Sequence, residues 1–175
     1  MLMNLQENGI LMKVIKGDLI ELALDGQFDV IIHGCNCFCT MGAGIAKQIK
    51  DTFREAYQSD LKTKRGDVSK LGTVNCVTTK SIYYTGTTTA IREIIVVNAY
   101  TQFDYRGERS GILLADYEAI RRCFNKIALL FEKQNKKIGY PKIGAGLANG
   151  DWDVISKIID EELKDLDHTL VEFSR

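Results

Sequence analysis

The sequence predicts an α/β protein, a three-layer α/β/α sandwich around a central mixed, largely parallel sheet. Short runs of β-branched residues alternate along the chain with longer segments whose apolar residues recur every three or four positions. Strands interleaved with helices in this way are typical of sheets covered by helices on both faces. A length of 175 residues with a single proline fits one domain over residues 1–175, with about the first ten residues as a flexible extension.

Six segments are predicted as strands, because each is a short apolar run that is rich in β-branched residues. They are residues 11–16, 29–35, 72–79, 92–100, 137–141 and 169–173. Antiparallel additions to the sheet are expected in the region 72–100.

Four segments are predicted as helices. LIELAL indicates a short helix that Asp18 could cap. The other three carry apolar side chains on one helical face, and we expect those faces to pack inward. The stripes are Ile45, Ile49, Phe53 and Tyr57; Leu113, Tyr117, Ile120, Phe124, Ile127 and Phe131; and Trp152, Ile155, Ile159 and Leu163 after Asp151.

Composition excludes several classes of function. The chain has 23 basic and 23 acidic residues, so it lacks the positive field of a general nucleic-acid-binding protein. Neither a membrane-spanning stretch nor a leader pattern is visible, which predicts a cytoplasmic protein without a membrane partner. The five cysteines lack the paired spacing of a zinc site, so no metal and no cofactor are expected. A monomer is favoured.

The stretch NCFCTMGAGIA, residues 36–46, places glycine and alanine where a predicted strand passes into a helix. Gly42 and Gly44 let the main chain approach a ligand closely, and backbone N–H groups at the start of a helix can bind an anion. A strand-to-helix turn also needs glycine for steric reasons, so this stretch alone leaves both interpretations open.

The stretch PKIGAGLANGDW, residues 141–152, repeats this arrangement with Gly144, Gly146 and Gly150 before a helix at Asp151. Ligands of open α/β sheets bind beyond the carboxyl ends of the strands. Two glycine-rich turns at that edge could hold a diphosphate from both sides. The pair therefore predicts a cleft of dinucleotide size.

Three motifs in this order resemble those of the macro domain, a module that binds ADP-ribose. They are GDL at 17–19, VIIHGCNCFCTMGAGIA at 30–46 and PKIGAGL at 141–147, and the resemblance runs from about Lys13 to the last strand. It implies ADP-ribose or ADP-ribose 1''-phosphate as the small-molecule ligand.

The resemblance also implies roles for individual residues. Asp18, with Leu19 beside it, would bind the adenine amino group, and Asn36 would hold the hydroxyls of the distal ribose. Tyr105 lies in the polar loop TQFDYRGERSG, which is either simply a solvated loop or, by its position after a predicted strand, one that closes over that ribose. The two diphosphate loops would be formed by Gly42, Ala43, Gly44 and Ile45, and by Gly144, Ala145, Gly146 and Leu147.

Departures from the common family pattern bear on activity. HGCN stands where many members have asparagine-alanine-alanine-asparagine. GAGIA and GLANGDW resemble the branch of ADP-ribose 1''-phosphate phosphatases and the terminal ADP-ribose glycohydrolase, but Ala148 stands where that glycohydrolase has aspartate. The leading prediction is hydrolysis of ADP-ribose 1''-phosphate. The alternatives are a non-catalytic ADP-ribose reader and a glycohydrolase that removes ADP-ribose from macromolecules.

The catalytic candidates are Asn36, Asp151 and His33. Asn36 would position the reacting ribose, and Asp151 or His33 would handle a proton or a water molecule. Capping of the last helix also explains Asp151, and a structural role in the strand also explains His33. Valine at Gly44 or Gly144 is expected to abolish ligand binding while leaving the fold intact.

Overall fold

A computed structural model describes residues 3–4, 12–84, 86–107 and 111–174. Seven strands form one sheet in the order β1-β2-β7-β6-β3-β5-β4. Their bounds are Met3–Asn4 (β1), Lys13–Gly17 (β2), Val30–Asn36 (β3), Val74–Tyr84 (β4), Thr89–Gln102 (β5), Lys137–Tyr140 (β6) and Asp167–Phe173 (β7).

Five α-helices lie on the two faces of the sheet, which makes a three-layer sandwich. The first three helices contribute to one apolar core and the last two to the other. None of the helices in the described residues is long and apolar enough to cross a membrane. The helices are Leu19–Leu24 (α1), Gly44–Thr52 (α2), Arg54–Leu61 (α3), Tyr117–Phe131 (α4) and Trp152–Leu163 (α5).

The sheet is mixed, as the sequence predicts. β2, β7, β6, β3 and β5 run parallel, whereas β4 pairs antiparallel with β5 and β1 pairs antiparallel with β2. The antiparallel addition expected at 72–100 is therefore confirmed. Because the carboxyl ends of the five parallel strands share one edge, the loops that follow them meet there.

Successive residues of β3 supply both cores. Val30 and Ile32 face α4 and α5, and Ile31 faces α1 and α2. All three are fully buried, which explains why this strand is apolar without alternation. The central strand and its loop are thereby held rigidly from both sides.

Two expectations about segment ends need correction. The helix predicted through Tyr57 breaks at Phe53, whose φ of −116° and ψ of 73° are not helical. The helix predicted from Leu113 begins at Tyr117, because Asp116 accepts a hydrogen bond from the amide of Ala119. Within the expected amino-terminal extension, Met3–Asn4 forms β1, and residues 1–2 and 5–11 lie outside the described residues.

Candidate ligand-binding cleft

A cavity of about 540 Å³ opens at the carboxyl ends of β3, β5 and β6. Both glycine-rich turns contribute to its walls. Of the residues predicted to bind substrate, the structure brings eight to it: Gly42, Ala43, Gly44, Ile45, Gly144, Gly146, Leu147 and Tyr105. Asn36 lines it too.

The first turn, residues 42–46, leads from β3 into α2. Gly44 has a φ of +56°, a left-handed conformation that favours glycine. Ala43 supplies no capping side chain at the start of α2. Within the described residues, no acceptor is hydrogen-bonded to the amides of Gly44, Ile45 and Ala46. These N–H groups are available to an anion.

The second turn, residues 141–151, leads from β6 to α5. Gly144 adopts a φ of +73°, and its carbonyl accepts a 2.7 Å hydrogen bond from the amide of Gly150. In the described part of the chain, the amides of Gly146 and Leu147 donate to no protein acceptor. A Cβ atom at Gly44 would lie 3.8 Å from Leu147 Cδ1, so the two turns approach each other.

Asn36 is hydrogen-bonded to the segment that leads from β3 to the first turn. Its Nδ2 donates to the Thr40 carbonyl oxygen at 3.0 Å and to Thr40 Oγ1 at 2.8 Å, and its Oδ1 accepts a 2.9 Å bond from the Phe38 amide. Both Nδ2 hydrogens are thereby engaged, which leaves one acceptor site on Oδ1. Asn36 therefore sets the shape of the loop and retains one hydrogen-bonding site for a ligand.

Tyr105 lies on one wall of the cavity, in the loop after β5. Its ring packs edge-on against that of Phe38, with the centroids 6.1 Å apart. The preceding Asp104 is bound at 2.6 Å by Arg106, whose hydrogen bond lowers the pKa of the Asp104 carboxyl to about 2. The ion pair links two residues within the loop, and the aromatic contact joins the loop to the segment between β3 and the first turn.

A second cavity, of about 620 Å³, adjoins the first. The two share Pro141, Lys142 and Gly146 as lining residues. Lys142 Nζ lies 2.8 Å from Glu172 Oε1. Ala145, predicted for the second diphosphate loop, lines this cavity rather than the first. The cleft is thus continuous from the Tyr105 loop to the end of β7.

A sequence model of the macro domain family matches residues 32–159, which is most of the chain and includes both turns. The chain belongs to the macro domain family. A 17.5 kDa protein from the tk-vs intergenic region of Enterobacteria phage T4 is 34% identical over 167 residues, with 94% of this chain and 97% of the phage protein covered.

Solved macrodomains share the fold. The macrodomain of Mycobacterium tuberculosis DarG superposes with a TM-score of 0.70 at 21% identity, covering 93% of this chain and 98% of that one. Thermosipho africanus DarTG gives a TM-score of 0.70 at 13% identity, with 98% of this chain and 43% of that chain covered. The Trypanosoma brucei macrodomain gives a TM-score of 0.56 at 16% identity, with 93% of this chain and 63% of that chain covered.

His33, predicted as a catalytic candidate, lies inside this macro domain rather than in the cleft. It is fully buried, and its Nε2 lies 2.6 Å from Asn98 Oδ1. Burial lowers the pKa of His33 to about 4, so the ring is neutral near pH 7. It lies on the face of β3 opposite to Ile32 and Asn36, which is the position that the structural alternative predicts.

Replacing His33 with glutamine should reduce the loss of stability on acidification. The imidazole has a pKa of 6.5 in the unfolded chain and of about 4 in the folded chain, so between these pH values the unfolded chain binds the proton more readily. Its contribution to the free energy of unfolding is therefore complete above pH 6.5 and is lost as the pH falls towards 4. The contribution is on the order of 3 kcal/mol. Urea unfolding at pH 7 and pH 4.5 measures it.

The wild type should lose more unfolding free energy between those two pH values than His33→Gln. His168 and Asp160 also titrate, with pKa values of about 4 and about 6. Both residues are present in the wild type and in the variant, so their effects cancel in the comparison. Equal losses would show that His33 is not buried as a neutral ring.

Asp151, the other proton-transfer candidate, is exposed and is not among the residues that line the cavity. Its Oδ1 accepts a 2.9 Å hydrogen bond from the Asp153 amide, and its own amide donates a 3.0 Å bond to the Tyr117 hydroxyl oxygen. This is the geometry of an amino-terminal helix cap. The structure thus places Asp151 at the start of α5, as the capping alternative predicts.

Asp151→Ala is expected to lower the free energy of unfolding by about 1 kcal/mol, because it removes a helix cap. Thermal melting and ligand titration of the same preparation separate capping from chemistry. Ligand affinity should stay at the wild-type value. An affinity loss without a drop in melting temperature would return Asp151 to the binding site.

Asp18 and Leu19, predicted for adenine binding, lie at the start of α1 and are among the lining residues of neither cavity. Asp18 Oδ1 accepts bonds from the amides of Ile20 and Glu21, at 2.8 and 3.2 Å. Leu19 is buried in the core beneath α1. Their assignment to adenine stays a prediction, and capping accounts for the contacts of Asp18.

Several cavity residues were missed from the sequence: Gly34, Thr40, Ala46, Gln102, Pro141, Lys142, Ile143 and Ala148. Seven of them lie within the stretches 30–46 and 141–152 but received no individual role, because neither their residue type nor their spacing indicates a ligand contact. Gln102 lies at the start of the polar loop that contains Tyr105 and was missed because nothing in the sequence shows that β5 ends beside the cavity. Among the described residues, no group of three His, Cys, Asp or Glu side chains could hold a metal ion.

Proposed function

We propose that this macro domain binds ADP-ribose, or a compound that carries an ADP-ribosyl group, in the continuous cleft. The observation that carries the proposal is the pair of turns whose unpartnered amides line one cavity, those of Gly44–Ala46 on one side and Gly146–Leu147 on the other. Backbone N–H groups at such turns favour a diphosphate without needing net positive charge.

Related folds support this ligand. Thermosipho africanus DarTG was solved in complex with ADP-ribose, and the Trypanosoma brucei macrodomain in complex with ADP. Both similarities cover more than nine tenths of this chain. The family assignment rests on residues 32–159, which contain both turns.

The size and chemistry of the cleft fit the two halves of ADP-ribose. Asn36 and Tyr105 line the first cavity, where the distal ribose would lie. The second cavity is lined by Lys16, Val171 and Phe173, and the Phe173 side chain is 61% exposed. An aromatic ring beside an aliphatic stem offers a stacking surface for adenine. A diphosphate would bridge the two at Gly146, which lines both cavities.

Titration calorimetry with ADP-ribose tests the proposal. We expect micromolar affinity, about 8 kcal/mol of binding free energy, with competition by ADP. Absence of heat up to millimolar ADP-ribose, together with no competition, would remove the proposed function.

Hydrolysis of ADP-ribose 1''-phosphate is the second candidate function. The same free amides could stabilise charge on phosphoryl oxygens while water attacks phosphorus, the P–O bond to the sugar breaks, and ADP-ribose and phosphate leave. Within the described residues, the lining of the first cavity has no carboxylate or imidazole. Catalysis there would therefore depend on positioning of the substrate. We expect slow turnover.

An assay of free phosphate separates this hydrolase from a reader. The wild type and Gly146→Val should be compared at the same high concentration, because a phosphatase activity of this cleft is lost in the variant. Zero release by a wild-type chain that binds ADP-ribose would establish the reader alternative.

A further inference from the structure

Lys142 is the one charged residue among those that line the first cavity, within the part of the chain that the structure describes. It also lines the second cavity, as Gly146 does, so it lies where the two cavities meet. The amide of Ala145 donates a 3.2 Å hydrogen bond to the Lys142 carbonyl oxygen, which places Lys142 in the second turn itself. A single cation in an uncharged wall is well placed to attract an anionic ligand group.

The ammonium group of Lys142 faces the second cavity and is open to solvent. Its Nζ lies 2.8 Å from Glu172 Oε1, and Glu172 lines that cavity too. The Trp152 ring lies 6.0 Å from Nζ, and the Lys142 side chain is 46% exposed. An ammonium group has three N–H donors, and one carboxylate engages at most two of them. Lys142 therefore keeps donor capacity for a ligand.

The charges around this ammonium group do not balance. Among the described residues that line the second cavity, Lys16 and Lys142 are cationic and Glu172 is anionic. Lys16 is the direct partner of Glu172 in the pairing of β2 with β7, so the three charges lie close together. This end of the cleft thus carries one net positive charge, although the whole chain is neutral. Such a local excess favours an anionic ligand.

We propose that Lys142 binds the diphosphate of the ligand through its ammonium group, and that the carboxylate of Glu172 competes with the diphosphate for that group. The free amides of the two turns give direction to the diphosphate, and the ammonium group adds a charge-assisted contact. A flexible stem lets Nζ reach a phosphate without movement of the main chain. The inference rests on the proposed function and deepens it, since it assigns the charged contact to one side chain.

Calorimetry with ADP-ribose tests the proposal on the wild type and three variants at the pair. Lys142→Met keeps an apolar stem and removes the charge, so it should weaken binding about tenfold. Lys142→Arg keeps the charge and should retain most of the affinity. Glu172→Gln should tighten binding about threefold, because it removes the competing carboxylate. Lys133→Met, exposed beyond the end of α4, removes one charge elsewhere and should bind as the wild type does.

Salt separates a charge contact from a loss of packing. Raising the salt concentration from about 0.05 M to about 0.5 M should weaken ADP-ribose binding more for the wild type than for Lys142→Met, because ions screen a half-exposed ammonium group. Thermal melting shows that each variant is folded before its affinity is compared.

Four outcomes would overturn the proposal. They are an unchanged affinity in folded Lys142→Met, an equal loss in Lys133→Met, the same salt dependence in the wild type and Lys142→Met, and weaker binding by Glu172→Gln. The second would assign the effect to net charge, and the third to packing of the stem. A wild-type chain that does not bind ADP-ribose would instead overturn the proposed function.

Discussion

Gly146→Val is expected to lower the affinity for ADP-ribose by at least about a hundredfold while the protein stays folded. A Cβ atom at Gly146 meets no protein atom within 4 Å, and its backbone lies outside the left-handed region. The β-carbon of a valine there causes no clash in the free protein. Its methyl groups would occupy the junction of the two cavities, which Gly146 lines in both.

Calorimetry with ADP-ribose and thermal melting measure both halves of this expectation. Gly42→Val is the matched variant in the first turn, because a Cβ atom there also meets no protein atom within 4 Å. Thr87→Val, at the exposed turn between β4 and β5, is the remote control and should bind normally. A folded Gly146→Val that binds with wild-type affinity would show that the glycine serves only the turn.

Gly144→Val should destabilise the protein by about 3 to 5 kcal/mol. Two independent causes act together at this position. Gly144 has a φ of +73°, which a β-branched residue rarely adopts, and a Cβ atom would lie 3.1 Å from Ile155 Cδ1 and 3.3 Å from Ile120 Cδ1. Both isoleucines are fully buried beneath the turn, so a side chain at Gly144 would have to displace packed core atoms.

Chemical denaturation of Gly144→Val and Gly146→Val gives the comparison. The two glycines are two residues apart in one turn, yet the first should affect stability and the second ligand affinity. A loss below about 1 kcal/mol for Gly144→Val would mean that the turn can change conformation at little cost. The expectation that valine at Gly144 leaves the fold intact is corrected by these contacts.

The layers of the sandwich could be predicted because they follow from local patterns. The runs around Val30 and Ile95 are apolar without alternation, since both faces of those strands are covered. The face of α4 shows a helical period for the same reason. The break at Phe53 could not be read in this way, because Phe53 continues the apolar stripe and is buried.

The residues of the candidate cleft likewise differ in whether the sequence alone reveals their role. Gly42, Gly44, Gly144 and Gly146 reveal themselves by composition, since turns at strand ends concentrate small residues. From the sequence alone, His33 and Asp151 each fit both a catalytic and a structural role. Only the direction of a side chain separates the two, and that direction depends on which face of β3 or which helix end carries the residue.

The β-bulge at Thr101 carries no sequence signal, although Thr101 is the first residue of the polar stretch TQFDYRGERSG. The bulge depends on a shift of register between β3 and β5, which single-residue patterns do not encode.

An NMR titration of the ¹⁵N-labelled chain with ADP-ribose tests the central claim most directly, because it reports on the amides themselves. The amide signals of residues 42–46 and 144–148 should shift together, saturably, and with one micromolar dissociation constant. Unchanged signals in both turns at millimolar ADP-ribose, or saturable shifts confined to other parts of the chain, would contradict it.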